Sequence, residues 1–312
     1  MQTRVKGVSA ALASAIFLGM APVFGKQAIN QGMPPLGVVA LRTSLAALLL
    51  FLVIMLFKKQ YLYIYPAGLL GCLLAGGING LGSLLYYSAL GRINASVGQL
   101  LYSLYPLFVM LWIMAIDNQH PSRLTLIRLF VTLPALFLLT QAQNQPVDLL
   151  GVVMMLGASL LYALHLPINQ RVLYDMPAPT VTLYTLLAMS GVVIPAFLLS
   201  GDSIFPSMQV AWGAVLGLGM VTFFSRLTLF LGVKHLGGMQ AALLGLSELL
   251  VTLVFSHLWL GERLSLAQWS GVILLVLGLS LVARENTPAQ RLKTRWLNWL
   301  RPPEYPSDLP LP

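Results

Sequence analysis

The sequence predicts an all-α membrane protein of ten transmembrane helices, arranged as two inverted five-helix repeats. Three observations carry this. Ten apolar stretches follow one another, joined by loops of about 3 to 10 residues, and each has the roughly 20 residues that a helix needs to cross the hydrocarbon core of a bilayer. Of the 312 residues 58% are hydrophobic and only 9% charged, with a mean hydropathy of +0.83, whereas soluble domains carry about 25% charged residues. The third observation is a coarse internal repetition between the two halves.

The spans run approximately over 7–29, 36–57, 66–89, 94–116, 123–140, 148–170, 178–200, 209–233, 239–260 and 266–283. The first is too long for a signal-peptide core and ends without a small-residue cleavage site, so it reads as a retained span. Cys72, the single cysteine, falls inside the third span, which leaves no intrachain disulfide to form. Residues 7–140 form the first repeat, 148–284 the second, and 285–312 a basic cytoplasmic tail.

With the N-terminus inside, twelve loop and tail cations lie on the cytoplasmic side: Arg4, Lys6, Lys58, Lys59, Arg123, Arg171, Lys234, Arg284, Arg291, Lys293, Arg295 and Arg301. Only Arg92 and Arg263 lie in loops on the other side. This positive-inside bias places both termini in the cytoplasm and the protein in the inner (plasma) membrane. The net charge of +9 therefore reports topology, and no nucleic acid partner is implied. In the tail, Leu292, Trp296, Trp299 and Leu300 recur at helical spacing among basic residues. That pattern suits either an amphipathic helix on an anionic leaflet or a frayed basic tail.

The repetition has a register. A shift of 143 residues superimposes Ile93-Asn94-Ala95 on Leu236-Gly237-Gly238 and Tyr105-Pro106 on Glu248-Leu249. A shift of 145 sets Pro22 and Lys26 against Pro167 and Arg171. Five spans per half make the second half run opposite to the first, and such inverted repeats place a substrate site near the midplane where they meet.

Two segments resemble the EamA-type members of the drug/metabolite transporter superfamily. One is Tyr87-Ser88-Ala89-Leu90-Gly91-Arg92-Ile93-Asn94-Ala95-Ser96 leading into Tyr105-Pro106. The other is Gly238-Met239-Gln240-Ala241-Ala242-Leu243-Leu244-Gly245-Leu246-Ser247-Glu248, followed by the turn Leu260-Gly261-Glu262-Arg263-Leu264. The resemblance covers about 7–284. Two positions depart from the family's pattern: Leu249 stands where proline is usual, and Asn118-Gln119 replace the Gly-Glu turn in the first half. The resemblance implies a ten-span secondary transporter (a permease or exporter) of a small metabolite such as an amino acid or related compound, working by alternating access.

Ionisable residues within the spans cost about 2.5–3.5 kcal/mol each at a helix centre on an insertion scale, so they are seldom idle. Glu248 is the only acid at bilayer depth. It continues a stripe of small and polar residues, Ala241, Gly245, Glu248 and Thr252, on one helix face. Arg226 lies about 8 residues before the cytoplasmic turn and Glu248 about 10 after it, so at about 1.5 Å per residue their depths match. An ion pair between Arg226 and Glu248 is the structural reading; proton coupling or recognition of a substrate amine is the functional one. Arg42 lies about a turn and a half inside its span and suits a carboxylate or phosphate on a substrate, or else a helix end. Lys26 and Arg128 are placed to snorkel to the interface. His165 precedes the helix-weakening Pro167 and either titrates in transport or is simply hydrogen-bonded.

Asn79, Gln99, Tyr102, Tyr105 and Asn169 are further candidates for lining a substrate cavity, with Tyr86, Tyr87 and Trp112 as aromatic bounds. Gly76-x-x-x-Gly80 and Gly213-x-x-x-Gly217 offer close helix packing or a sliding surface. No metal cluster, nucleotide loop or catalytic constellation stands out, so the sequence implies no cofactor and no enzyme. The rival class is an intramembrane enzyme acting on a lipid-like substrate. A channel would need a ring of like charges or carbonyls. The expected partners are the lipid bilayer, a small-molecule substrate and a coupling proton, with the chain acting as a monomer or homodimer. Cysteines introduced at Asn94 and Lys59 are expected to react with an impermeant thiol reagent from opposite sides of the membrane. Labelling of both from one side contradicts the ten-span topology.

Overall fold

The computed structural model describes residues 2–117, 134, 138, 148–202, 211–245, 247–263, 265–266, 269–274 and 277. Among them the regular structure is helical throughout: α1 (Gln2–Asn30), α2 (Pro35–Phe57), α3 (Pro66–Arg92), α4 (Ala95–Tyr102), α5 (Tyr105–Asp117), α6 (Leu149–Leu173), α7 (Ala178–Ser200), α8 (Ala211–Leu236), α9 (Gly238–Gly245) and α10 (Ser247–Leu260). Seven helices among the described residues are long and apolar enough to cross a membrane. They correspond to the expected spans 1–4 and 6–8. The ninth expected span corresponds to α9 and α10 on either side of residue 246. The fifth span, most of the tenth, the tail, Arg123, Arg128 and Asn118-Gln119 lie outside the described residues.

Local chemistry sets the helix boundaries. Pro35 and Pro66 open α2 and α3 at positions where no intrahelical donor is required. Asp148 caps α6, its carboxylate accepting from the Leu150 and Gly151 N–H groups at 2.9 and 3.2 Å. The same carboxylate pairs with Arg92 at 2.9 Å, and that hydrogen bond holds it below the usual carboxylate range. Gly237, at φ +86°, makes the tight left-handed link between α8 and α9 that a side chain would strain.

Of Pro22, Pro106 and Pro167, each expected to weaken its helix, Pro106 alone adjoins an interruption. α1 and α6 continue through Pro22 and Pro167 as single helices. The interruption falls instead at Ser103–Leu104, between α4 and α5. Pro106 cannot donate to the carbonyl of Tyr102, which accepts from Ser159 Oγ of α6 at 2.9 Å. The orphaned acceptor thus finds a partner on a neighbouring helix, as it must where no water is available.

Packing repeats when the two halves are exchanged. α1 packs on α8 as α6 packs on α3, and α1 meets α10 as α6 meets α5. α3 meets α7 as α8 meets α2, while α2 and α7 pack directly on each other. Lys26, near the end of α1, donates to the Leu90 and Ile93 carbonyls at the end of α3, at 2.6 and 2.9 Å. It is therefore bonded to a helix end, where snorkelling was expected. Arg92, beside those carbonyls, pairs with the cap of α6. The end of α1 and the start of α6 consequently lie at one end of the bundle. Glu262 closes the same end, accepting from the Ala95 and Ser96 N–H groups at 2.9 Å each. At the opposite end Lys234 donates to the Met176 carbonyl and Gln170 accepts from the Gly238 N–H, both at 2.8 Å.

Small residues pack among large apolar ones in the interior, and many large apolar side chains also face outward. Ala15, Ala28, Ala46, Ala75 and Ala163 are fully buried, while Leu56, Phe57, Leu199 and Leu258 are among the most exposed side chains. Buried alanines and an apolar outer surface suit a bundle whose outer face meets lipid and whose helices associate through close contact. Gly76 and Gly80 lie at such a contact, where α3 crosses α7: a Cβ on Gly76 would stand 2.5 Å from Ala188 Cβ and 2.6 Å from the Thr185 carbonyl. The Gly213-x-x-x-Gly217 pattern does not do the same. Nothing lies within 4 Å of a Cβ on Gly213, and Gly217 meets only the Phe24 ring. On α8, Gly219 receives Leu45 of α2 and Gly232 receives Ala11 of α1. Gly76→Ala is expected to lower stability by about 1–3 kcal/mol through overpacking, and Gly213→Ala to leave it unchanged or slightly raised. Thermal unfolding in detergent micelles measures both, and equal effects contradict the assigned crossing.

Candidate functional site

A narrow cavity lies between the two halves. Its walls come from seven helices. α1 supplies Leu18 and Ala21, α2 Arg42, and α4 Gln99 and Tyr102. α6 supplies Ala158, α8 Arg226 and α10 Glu248. The largest share comes from α3, whose Asn79, Ser83, Tyr86 and Tyr87 follow one another at helical spacing, with Gly82 beside them.

The three ionisable groups are almost wholly removed from solvent, with Arg42 6%, Arg226 5% and Glu248 2% exposed. Arg42 reaches Ser83 Oγ with Nη2 at 3.2 Å and Thr222 Oγ1 with Nη1 at 3.4 Å. Its guanidinium carbon lies 4.6 Å from the centre of the Tyr87 ring, a cation–π contact. Arg226 lies over Tyr162 at 5.5 Å. It donates to the Asn79 carbonyl through Nη1 and Nη2 at 3.2 and 3.3 Å; the opposite amide orientation would aim N–H groups at a guanidinium.

Gln99 shares the cavity wall with the Glu248 carboxylate, and the Gln99 side-chain carbonyl accepts from Tyr86 Oη at 3.1 Å. The backbone of Glu248 is fixed by α1: a Cβ on Gly19 would lie 2.5 Å from the Glu248 carbonyl oxygen, and Thr252 Oγ1 donates to the Gly19 carbonyl at 2.7 Å. Only glycine at position 19 allows so close an approach. The stripe Ala241, Gly245, Glu248 and Thr252 is buried along its whole length.

Arg226 and Glu248 thus face the same cavity, but the ion pair expected between them is not formed. Among the described residues the salt bridges are Arg92–Asp148 and Arg171–Asp175. Equal depth places two groups at one level; their positions around the helix axes leave the cavity between them. The result is a set of unmet polar atoms. Arg42 Nε, Arg226 Nε, Tyr87 Oη and Glu248 Oε1 are buried without a hydrogen-bond partner, and all four belong to residues of the cavity wall.

Eight of the residues named from the sequence line this cavity: Arg42, Asn79, Tyr86, Tyr87, Gln99, Tyr102, Arg226 and Glu248. Four do not. Tyr105 packs behind the wall against Tyr102 and Tyr162, and its hydroxyl donates to the Ala242 carbonyl at 3.1 Å. His165 is buried on another face of α6, against Tyr162 and Phe230, with Nδ1 on the Tyr162 carbonyl. Asn169 turns toward α7 and accepts from Thr185 Oγ1 at 3.1 Å. Trp112 donates to the Leu160 carbonyl at 3.4 Å, away from the cavity. Sequence reasoning missed Ser83 and Thr222. Ser83 lies one turn from Asn79, and Thr222 one turn from Arg226, so an i, i+4 search around each charged or amide residue would have found both.

Comparisons with known proteins agree with this architecture. The EamA-like transporter family matches twice, over residues 5–141 and 149–284. An uncharacterized transporter of Bacillus subtilis (strain 168), YcbK, is 24% identical over 269 residues, which cover 81% of this chain and 86% of YcbK. A second from the same organism, YwfM, is 26% identical over 147 residues, 47% of this chain and 49% of YwfM. A solved crystal structure superimposes with a TM-score of 0.67 at 16% identity, covering 94% of this chain and 98% of that one, and so shares its fold. The chain belongs to the EamA-like transporter family.

Proposed function

We propose that this membrane transporter is a secondary active carrier that moves a small polar metabolite, such as an amino acid or related compound, across the inner membrane by alternating access. Ten spans form two inverted five-helix repeats, 7–140 and 148–284, with both termini and the tail 285–312 cytoplasmic. The double family match and the exchange symmetry of the helix contacts support that division. The observation that carries the proposal is the cavity itself. It lies between the halves, and its wall holds four buried polar atoms with no partner in the protein. Each such atom costs about 1–3 kcal/mol when left unmet, so the site favours a polar guest. The hydrogen bonds closing each end, Glu262 to α4 and Gln170 to α9, supply contacts that can be exchanged as the halves rock.

The rival intramembrane enzyme is less well supported. Catalysis needs at least two convergent acid, base or nucleophile groups. Glu248 is the cavity's only carboxylate among the described residues, and His165 does not join it.

Within this reading Glu248 is the coupling residue, gaining and losing a proton while facing the cavity. Uptake of a panel of labelled metabolites into proteoliposomes, with and without a pH gradient, identifies the substrate. Glu248→Gln is then expected to abolish accumulation against a gradient, to below about a tenth of wild type. Substrate exchange, which requires no net proton movement, is expected to continue. Unchanged accumulation removes Glu248 as the coupling site, and joint loss of both activities makes its role structural.

A further inference from the structure

Two cations and one anion share this cavity, and that imbalance has a sign. Arg42 and Arg226 keep their charge under any physiological condition. The cavity therefore carries an excess of one positive charge when Glu248 is ionised and two when it is protonated. Either way it is net positive. Among the described residues no other acidic side chain lines the wall. The internal contacts of the guanidinium groups are all to neutral partners: Ser83, Thr222 and Tyr87 for Arg42, and Asn79 and Tyr162 for Arg226. Hydroxyls, an amide carbonyl and ring faces satisfy part of each cation's hydrogen-bonding and polar demand, and none of them neutralises it. Each Nε is left without an acceptor.

We infer that the guest is a small organic anion of net negative charge, with a carboxylate or phosphate oxygen cluster between Arg42 and Arg226 and a donor group against the free oxygen of Glu248. The inference rests on the carrier reading of the cavity and narrows it. An amine placed on Glu248 alone would leave both arginines uncompensated in a medium that screens poorly, whereas an oxyanion meets both and accepts from the unpaired Nε groups. A zwitterion of zero net charge leaves the excess in place, so an acidic amino acid or a dicarboxylate fits better than a neutral or basic amino acid of the same length.

The test uses the full-length protein in lipid nanodiscs and proteoliposomes, with L-glutamate, L-glutamine, L-lysine, succinate and inorganic phosphate as probes at constant ionic strength. The first readout is the thermal unfolding midpoint, the second counterflow of labelled glutamate and glutamine. Glutamate, succinate or phosphate is expected to raise the midpoint by about 2 °C or more at saturation, with glutamine and lysine giving no shift. Arg42→Lys retains the charge needed for folding but loses the planar fork, and is expected to weaken anion binding at least about tenfold. Arg226→Gln is expected to remove the preference for anions. Stabilisation or counterflow by glutamine or lysine equal to that by the anions overturns the inference and leaves the carrier reading intact. A panel in which no probe shifts the midpoint or exchanges overturns both.

Discussion

The rest of the molecule is arranged around a charge imbalance held out of water. Arg42, Arg226 and Glu248 converge on one cavity without pairing, in a chain whose outer surface is apolar. A buried cation is tolerable only where hydrogen bonds and ring faces share its field, and truncating one partner of such a group is costly. Each arginine is accordingly met by a hydroxyl, an amide or a tyrosine ring contributed by another helix. Those partners come from α3, with Thr222 of α8 and Tyr162 of α6 beside them. α3 supplies partners to both guanidinium groups, so displacing it would strand both at once, and polar satisfaction and helix packing depend on each other.

Glycine is the link between packing and site. Gly76 and Gly80 let α3 approach α7, and Gly19 lets α1 approach the backbone of Glu248. The carboxylate is thereby delivered to the cavity by the close approach of α1 to its backbone, where Gln99 and Tyr86, bonded to each other, share the wall with it. The two ends of the bundle are closed by a different kind of contact, single polar side chains on helix termini, with Glu262 on α4 at one end and Gln170 on α9 at the other. Such contacts can be traded for lipid headgroups or water at the surface. The buried approaches at Gly19 and Gly76 involve backbone atoms and have no such substitute.

The helical architecture and the three charged residues were legible because a charge inside an apolar run of bilayer length has so few acceptable explanations. Depth was legible as well, since rise per residue is fixed. Rotation about the helix axis was not. Arg226 and Glu248 share a level and still fail to meet, and His165 and Asn169 look as suitable as Asn79 in sequence but turn toward Phe230 and Thr185. Ser83 and Thr222 were passed over for another reason: hydroxyl residues draw no notice on such a helix, because they can donate to their own backbone, as Thr222 does to Leu218 at 2.7 Å. The two Gly-x-x-x-Gly patterns read alike, yet only the one at the α3–α7 crossing is enclosed. A spacing states which residues share a face and leaves open what that face meets.

The central claim, that the unmet polar groups of this cavity are completed by the transported molecule, is tested most directly by accessibility of the wall. Ala21 lines the cavity and carries no hydrogen-bonding role. In a Cys72→Ser background, Ala21→Cys is predicted to react with a small water-soluble thiol reagent in proteoliposomes, and saturating substrate is predicted to slow that reaction at least about tenfold, as expected for a ligand at ten times its Kd or more. A reaction rate that is the same with and without the transported substrate contradicts the claim.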